Sequence, residues 1–422
     1  MSSTTTSAPA VLDLPWVRDQ FPSFRRKING HPAAFLDGPG GTQVPQSVID
    51  AIADYLVRCN ANTHGQYATS RESDQLIADA HQAMADFLHC DADEVAFGPN
   101  MTTLTLGLSR AIGRTLKPGD EIVVTRLDHS ANVSPWVALE ELGVKIQRVD
   151  FNPADCTLDL ADLKSKLNAR TRVVAVGYAS NAVGTVNPVA EITRLAHNVG
   201  ALVFIDAVHY APHGLIDVRA IECDFLACSP YKFFGPHSGV LYGKREKLQA
   251  LKPYKVRPAS NDLPDAWETG TQNHECMAGV LAAVEYIASI GHRSSEEKLT
   301  RRAALQSAYR HIHNHERRLT EKLVSGLLAI PGVTVYGITD PRHFDHRVGT
   351  ISIRMRTRTP HQIADHLGNK GLFTWDGNFY ALDVTERLGV EDQGGLVRIG
   401  ILHYNSDDEI DRLLAELKFL SS

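Results

Sequence analysis

The sequence predicts an α/β protein whose large domain holds a mostly parallel sheet covered by helices on both faces. Between residues 120 and 245, short apolar stretches alternate with helical patterns, and each apolar stretch is nearly continuous. Strands that are buried on both faces of a sheet have this composition. The chain has 422 residues, which exceeds what one hydrophobic core usually organises, so a second domain is expected.

The predicted strands of the large domain are residues 121–125, 145–150, 172–177, 201–206 and 224–228. Apolar residues at helical spacing predict helices at 74–89, 131–142 and 188–199, and a long connecting helix at 297–328. Strand and helix patterns after residue 340 predict a smaller α/β domain. We therefore expect a flexible tail at 1–16, a large domain at 17–296, and a connecting helix with the small domain at 297–422; the segment after the tail could instead join the small domain.

Composition restricts the function classes. The chain is 43% hydrophobic and 22% charged, with a net charge of −6, which is ordinary for a soluble globular protein. Nothing indicates a nucleic-acid partner, and no apolar run approaches the roughly 18 residues that span a membrane. The first ten residues lack the pattern of a signal peptide. Six separated cysteines without a CxxC pair indicate neither a disulfide framework nor a zinc site. We expect a cytoplasmic enzyme.

One lysine lies in the small, aromatic and glycine-rich stretch "SPYKFFGPHSGVLYG", residues 229–243. Burial between apolar runs lowers the pKa of Lys232 and makes its amine nucleophilic. Such a lysine is either paired with a carboxylate or used for imine chemistry. Polar residues follow neighbouring predicted strands, where α/β enzymes collect reactive groups: His129, Asn181, Asp206 and Ser229. Each alone is at least as typical of a helix cap or a structural side chain.

The order of these residues favours imine chemistry. An aspartate followed about two dozen residues later by a lysine, across a strand, is the pattern of pyridoxal-phosphate enzymes, in which the carboxylate pairs with the pyridinium nitrogen. The stretch "FGPNMTTLTLGL" (97–108) predicts a turn that opens into a helix. Backbone N–H groups and hydroxyls at such a helix start bind phosphate, although a simple capped helix has the same sequence pattern.

With these motifs the chain resembles the class V aminotransferase group of fold-type I pyridoxal-phosphate enzymes, and within it the cysteine desulfurase-like branch. The resemblance runs from about Phe35 to the C-terminus. It is carried by "FLDGPGGTQVP", "NANTHG", "DHSANVSPW", "ASNAVGTVNP", "IDAVHYAPH", "ETGTQN" and "GLVRIGILHYNS". It implies a PLP-dependent transferase fold, with a seven-stranded type of sheet in the large domain and a smaller C-terminal α/β domain.

The resemblance also implies roles for individual residues. Lys232 forms the Schiff base and moves the α-proton of an L-amino acid, Asp206 holds the ring nitrogen, and His129 stacks on the ring. Arg398 clamps the substrate carboxylate, and Asn62, His64 and Asn181 complete the substrate set. The implied cofactor-binding residues are Met101, Thr102, His129, Asn181, Asp206, His209, Ser229, Tyr231, Lys232, Gly270 and Thr271. Of these, Gly270 and Thr271 reach a neighbouring subunit's phosphate site, which implies a homodimer with shared active sites.

The sequence departs from the family pattern at three places. His209 stands where desulfurases carry glutamine, and Tyr231 replaces the histidine before the lysine. Desulfurases carry a nucleophilic cysteine on a loop of the small domain, whereas this chain has "GLFTWDGNFYALDV" there, with Tyr380 near the thiol's position. No cysteine follows Cys276. This loop cannot form a persulfide, because that step needs a thiolate.

We therefore expect a pyridoxal-phosphate enzyme that eliminates at the β-carbon of an L-amino acid, with C–S bond cleavage of a cysteine derivative favoured. The alternatives are a cysteine desulfurase that borrows a thiol from elsewhere, an aminotransferase, and a β-decarboxylating enzyme that then forms a carbon–carbon bond. A further alternative, from a different functional class, is a protein that binds the cofactor without catalysing a reaction. The side-chain pocket is expected at Trp375, Asp376, Asn378, Phe379 and Tyr380, although a mixed surface loop has the same composition.

Overall fold

The computed structural model describes residues 11–421. Residues 1–10 of the predicted tail lie outside this range. The remainder of the predicted tail is packed: Leu12 is buried, and a helix begins at Leu14. Asp13 caps that helix by accepting a hydrogen bond from the Trp16 N–H. The apolar and capping residues that anchor the chain start at Leu12, and the boundary at residue 16 stays a prediction.

Fourteen α-helices lie within the described residues. They are α1 Leu14–Asp19, α2 Gln46–Arg58, α3 Ala68–Leu88, α4 Met101–Gly113, α5 Ser134–Val137, α6 Leu160–Lys166, α7 Val189–His197, α8 Val218–Ile221, α9 Arg245–Ala250, α10 His274–Arg293, α11 Arg301–Leu328, α12 Pro360–Asn369, α13 Leu382–Arg387 and α14 Asp407–Ser421. None of these helices is both long and apolar enough to cross a membrane.

The same residues form seventeen strands. They are β1 Lys27–Ile28, β2 His31–Pro32, β3 Ala34–Phe35, β4 Val95–Gly98, β5 Glu121–Thr125, β6 Lys145–Val149, β7 Phe151–Asn152, β8 Thr157–Leu158, β9 Thr171–Gly177, β10 Leu202–Asp206, β11 Phe225–Cys228, β12 Gly239–Gly243, β13 Val333–Tyr336, β14 Thr350–Met355, β15 Leu372–Phe373, β16 Trp375–Gly377 and β17 Leu396–Gly400.

The main sheet has seven strands in the order β4-β12-β11-β10-β9-β5-β6. Strands β11, β10, β9, β5 and β6 are parallel, and β12 runs antiparallel to both of its neighbours. The strands from β9 to β12 are buried almost throughout, as uninterrupted apolar runs require when helices cover both faces. The predicted α/β fold with a mostly parallel, seven-stranded sheet is confirmed.

The helix predicted at 131–142 is largely wrong. The segment forms the four-residue helix α5 between two 3₁₀ turns. Asn132 donates a side-chain hydrogen bond to Asp128 at 2.9 Å, and the Ala131 N–H donates to His129 Nδ1 at 3.0 Å. Side chains that bond to the local backbone and to each other compete with regular helical turns, so the segment wraps around His129 instead.

The second sheet has the order β13-β14-β17-β16; helices α11 and α12 contact its strands, and α14 packs on these helices within the same apolar cluster. Its apolar cluster includes Ala34 and Leu36 from the start of the chain, and β3 pairs with β15. The segment after the predicted tail thus contacts the smaller sheet. The division into a large domain at 17–296 and a small domain at 297–422 stays a prediction.

Candidate active site

The polar residues that the sequence places after strands meet at one edge of the main sheet. Asp206 is the last residue of β10, and Ser229 follows β11. His129 lies four residues after β5, and Asn181 four residues after β9. These strands are parallel, so their carboxyl ends lie together, as expected for an α/β enzyme. A cavity of about 80 Å³ at this edge touches all four side chains and Lys232.

Lys232 is buried, with 9% of its surface exposed, in a short 3₁₀ turn after β11. Its Nζ donates to the Pro39 carbonyl, so the "FLDGPGGTQVP" segment lies against the lysine. Burial and the nearby Arg398 lower its pKa to about 7, against the raising effect of Asp206 and Asp37. Near neutral pH a large share of the amine is therefore unprotonated, which suits both imine formation and proton transfer.

Two buried carboxyl groups also line the small cavity. Asp206 accepts a hydrogen bond from the Val208 N–H at 2.9 Å, and burial raises its pKa to about 6. Asp128 accepts one from the Gly177 N–H at 2.9 Å, and burial raises its pKa to about 7. A Cβ atom at Gly177 would lie 2.8 Å from Asp128 Oδ1, so glycine permits this approach. Asp206 is thus a carboxyl group available to a cation or a protonated ring nitrogen.

His129 has a neutral ring with a defined tautomer. Burial, followed by the charges of Lys232 and Arg398, lowers its pKa to about 4. Its Nδ1 accepts the Ala131 N–H, so the proton of the neutral ring resides on Nε2. Tyr380 stacks on this ring with centroids 5.7 Å apart. A flat, uncharged ring at the cavity wall suits stacking on an aromatic ligand.

Arg398, in β17, brings a buried cation from the second sheet to a wider cavity that Lys232 also lines. Its Nη1 donates to the Asn181 carbonyl at 3.0 Å, and its guanidinium lies 4.2 Å from the Phe379 ring centroid. Its Nε and the Asn181 Oδ1 are buried without a hydrogen-bond partner among the described residues. Burial lowers the pKa of Arg398 to about 9. An uncommitted buried guanidinium is typical of a carboxylate-binding site.

The N-terminus of α4 closes the other side of the cavity. Asn100 caps this helix by accepting the Thr103 N–H at 2.8 Å, and the Met101 N–H donates to Ser229 Oγ at 3.3 Å. Thr102 and Tyr231 also line the cavity, and Tyr231 stacks on His237. Helix N-termini of this length attract anions through their free N–H groups.

A wider cavity of about 930 Å³ opens above Lys232 and shares Thr102, His129, Ala131, Asn181, Tyr231 and Lys232 with the smaller one. The five residues predicted for the side-chain pocket all line it: Trp375, Asp376, Asn378, Phe379 and Tyr380. Phe379 and Tyr380 adopt left-handed φ angles of 58° and 57°. Their carbonyls accept hydrogen bonds from Asn181 Nδ2 and the Ser130 N–H, which hold this costly conformation.

Four predicted site residues lie elsewhere in the chain. Asn62, His64, Gly270 and Thr271 line a second cavity of about 1000 Å³, which shares no lining residue with the cavities at Lys232. Within one chain they are therefore not brought to Lys232, although the structure does bring them to each other.

The cysteines do not line the candidate site, although Cys228 directly precedes Ser229 in the chain. Cys59, Cys90, Cys156, Cys223 and Cys228 are buried, and Cys276 is half-buried. None of the six lines either cavity at Lys232. Burial raises the pKa of every one of these thiols.

The donor set fits pyridoxal phosphate. The cofactor presents an aldehyde, a pyridine nitrogen, a phosphate and a flat ring. The cavity offers an amine of lowered pKa at Lys232, a carboxyl group at Asp206, the helix start at Met101, and the neutral ring of His129. Asp37 and Asp128 also face this arrangement, and neither was predicted from the sequence. Asp37 lies within the motif "FLDGPGGTQVP" and Asp128 within "DHSANVSPW", and those motifs were the available signal.

Comparisons with known proteins agree with this fit. The profile of the family "Aminotransferase class-V" matches residues 34–413. A cysteine desulfurase of Dickeya dadantii is 32% identical over 417 residues, which cover 95% of both chains. An aminotransferase-like protein of Gibberella zeae is 30% identical, over 96% of this chain and 97% of its own. The apo structure of a cysteine desulfurase from Thermococcus onnurineus NA1 superposes with a TM-score of 0.86 at 25% identity, covering 100% of this chain and 99% of that one.

Proposed function

Because this chain belongs to the class-V aminotransferase family and depends on pyridoxal phosphate, we propose that it eliminates at the β-carbon of an L-amino acid. The favoured substrate is a cysteine derivative whose Cβ–S bond is cleaved. The observation that carries the proposal is that Lys232, His129 and Arg398 line one cavity and no cysteine of the described residues lines it.

The cofactor, when bound, condenses with an amino group and delocalises negative charge that develops at the α-carbon. The chain's own contribution starts with Lys232, which attaches the cofactor and, once free, accepts the α-proton. Its pKa of about 7 matches that task, because an acid–base group works best when its pKa lies near the working pH. Asp206 holds the ring nitrogen, and His129 packs on the ring.

Arg398 orients the substrate. Its Nε is buried without a partner among the described residues, and Phe379 covers one face of its guanidinium. A bidentate bond to the α-carboxylate would satisfy this donor and align the α-proton with Lys232. Trp375 is 52% exposed and Tyr380 is 74% exposed, and both line the wider cavity. An apolar substituent on the sulfur would bury these rings.

Elimination needs only proton removal and a leaving group. The Cα–H bond breaks as Lys232 takes the proton, and the Cβ–S bond breaks as a thiolate leaves. The other product is 2-aminoacrylate, which water converts into pyruvate and ammonia. No enzyme thiol takes part, which accords with six cysteines of raised pKa away from the cavity.

A cysteine desulfurase is the second candidate, and the names of the relatives favour it. That reaction needs a thiolate to take the substrate sulfur. Tyr380 lies at the cavity where the resemblance leads one to expect the cysteine, and a phenol forms no persulfide. Desulfuration by this chain would therefore need a thiol supplied by another molecule. Transamination and β-decarboxylation use the same set of residues and stay open.

We also propose a homodimer in which each subunit completes its partner's site. Asn62, His64, Gly270 and Thr271 support this, because they are gathered at one cavity remote from Lys232. The neighbouring helix α2 exposes apolar side chains, with Val57 83% exposed and Leu56 48% exposed. A cytoplasmic location stays a prediction.

A panel of L-amino acids and S-substituted cysteines tests the proposed reaction. We expect pyruvate and ammonia in equal amounts, together with the free thiol, from at least one cysteine derivative. Lys232→Ala is the control, because it removes the base and must abolish product. Alanine as the product, with sulfur left on an added thiol, would favour the desulfurase. Release of CO₂ would favour β-decarboxylation, and a keto acid that keeps the substrate's side chain would favour transamination.

A further inference from the structure

The ring of His209 separates the small cavity from the second sheet. The residue follows β10 and is 4% exposed, and its ring lines the cavity together with Asp206 and Lys232. Its Nε2 lies 2.9 Å from Thr350 Oγ1, at the start of β14. The contact with the second sheet uses Nε2 and does not involve Nδ1. One ring nitrogen is thus bound to the second sheet while the other is left for a ligand.

Thr350 is fixed by its backbone, and its hydroxyl has one hydrogen-bond partner among the described residues. The residue is fully buried, and its carbonyl accepts a hydrogen bond from Arg347 Nη2 at 2.6 Å. Two residues earlier in the chain, the Val348 N–H donates to the Gly184 carbonyl. Within the described part of the chain, His209 Nε2 is the only partner of Thr350 Oγ1. If Nε2 carried a proton, the Thr350 O–H would be a buried donor without an acceptor, which is costly. If Nε2 is the acceptor, both groups are satisfied.

The charges around His209 keep the ring neutral. His213 lies nearest, with ring centroids 5.3 Å apart, and it is paired with Glu316 at 2.7 Å. Lys232, Arg398 and His129 face the ring from the other elements of the site. Burial and then these neighbours hold the pKa of His209 well below its ordinary value. A neutral imidazole that accepts at Nε2 carries its proton on Nδ1.

We propose that Thr350 is a positioning residue that fixes His209 as the Nδ1–H tautomer and so aims a neutral donor at an oxygen of bound pyridoxal phosphate. The second sheet thereby tunes the cofactor through a single hydroxyl. The proposal rests on the cofactor alone, and it stands whichever amino-acid reaction the enzyme performs.

The test uses the cofactor-loaded enzyme without any amino acid and follows its visible absorption against pH. A donor to a cofactor oxygen favours the deprotonated, more negative form. In Thr350→Val the His209 ring is no longer fixed, so the acid dissociation constant of the bound cofactor should fall by about three- to tenfold. The midpoint of the absorption titration then rises by about half to one pH unit. Thr350→Ser keeps the hydroxyl and should titrate like the wild type.

Ser352→Ala is the matched control. Ser352 lies two residues along β14, and its hydroxyl donates to the Ala182 carbonyl rather than to a cavity residue. This variant also loses a buried hydrogen bond but should leave the midpoint in place. A wild-type midpoint in Thr350→Val, or an equal shift in Ser352→Ala, would overturn the proposal.

A second measurement does not depend on any variant of Thr350. Nitrogen-15 NMR of the histidine-labelled, loaded wild-type enzyme reports which ring nitrogen carries the proton, with His209→Gln identifying the signal. We expect a protonated Nδ1 and an unprotonated Nε2. The reverse tautomer would overturn the assignment.

Discussion

The pKa of Lys232 determines how fast the apoenzyme captures its cofactor at a given pH. Capture needs the neutral amine, and the pKa is lowered from 10.5 to about 7 by burial and by Arg398. At pH 7 about half of the Lys232 side chains are neutral, against about one in 3000 for an ordinary lysine. Capture at pH 7 should therefore be on the order of a thousandfold faster than with an unperturbed lysine. Below pH 7 the rate should fall about tenfold per pH unit, and above pH 7 it should level off.

The assay mixes apoenzyme with pyridoxal phosphate between pH 5 and 10 and follows the absorbance of the covalent complex. Lys232→Ala shows the signal of non-covalent binding alone. Two variants test the cause of the shift with opposite signs. Arg398→Leu removes a positive charge that lowers the pKa, so its midpoint should rise, whereas Asp206→Asn removes a negative charge that raises the pKa, so its midpoint should fall. A wild-type rate that keeps rising through pH 9, or midpoints that move in the same direction, would refute this reasoning.

Three further outcomes are expected. Arg398→Lys should raise KM for the amino acid by about ten- to a hundredfold with little loss of cofactor, because lysine cannot make both hydrogen bonds of the planar guanidinium to the substrate carboxylate. An unchanged steady-state KM would contradict this role. Thr271→Ala should weaken cofactor retention in a protein that sedimentation still shows to be dimeric, and an active monomer would exclude the shared site. Gly184→Ala should lower the free energy of unfolding, measured by urea titration, by about 2–4 kcal/mol. The reason is that φ of Gly184 is +81° and the new Cβ would lie 2.4 Å from the Thr350 carbonyl oxygen. A loss below about 0.5 kcal/mol would contradict that clash.

Strands β5, β9, β10 and β11 of the main sheet were predictable because they are buried on both faces, whereas the shorter or equally buried β4 and β12 were not predicted. Such strands appear in the sequence as uninterrupted apolar runs, and the prediction for 121–125 coincides with β5. The segment at 131–142 was not predictable in the same way. Its turns depend on the bond from Asn132 to Asp128 and on the cap that His129 provides, and neither is visible as a periodicity.

The reactive core of the site was predictable from the order of Asp206 and Lys232 and from the motifs around them. The groups that tune it were not. Thr350 contacts His209 across 141 positions of sequence, and Asp37 faces Lys232 and Arg398 only because the first segment packs against both sheets. Such contacts arise from packing between distant elements, so no local pattern indicates them.

The central claim is that carbon–sulfur cleavage here needs no thiol of the enzyme. The most direct measurement replaces all six cysteines with alanine or serine and follows turnover of the best cysteine derivative, with six single replacements if the combined variant does not fold. We predict that the activity and the pyruvate product persist, because the cysteines lie outside the cavity and burial raises the pKa of their thiols. Stoichiometric alanine, with a persulfide on one cysteine that disappears when that residue is replaced, would contradict the account.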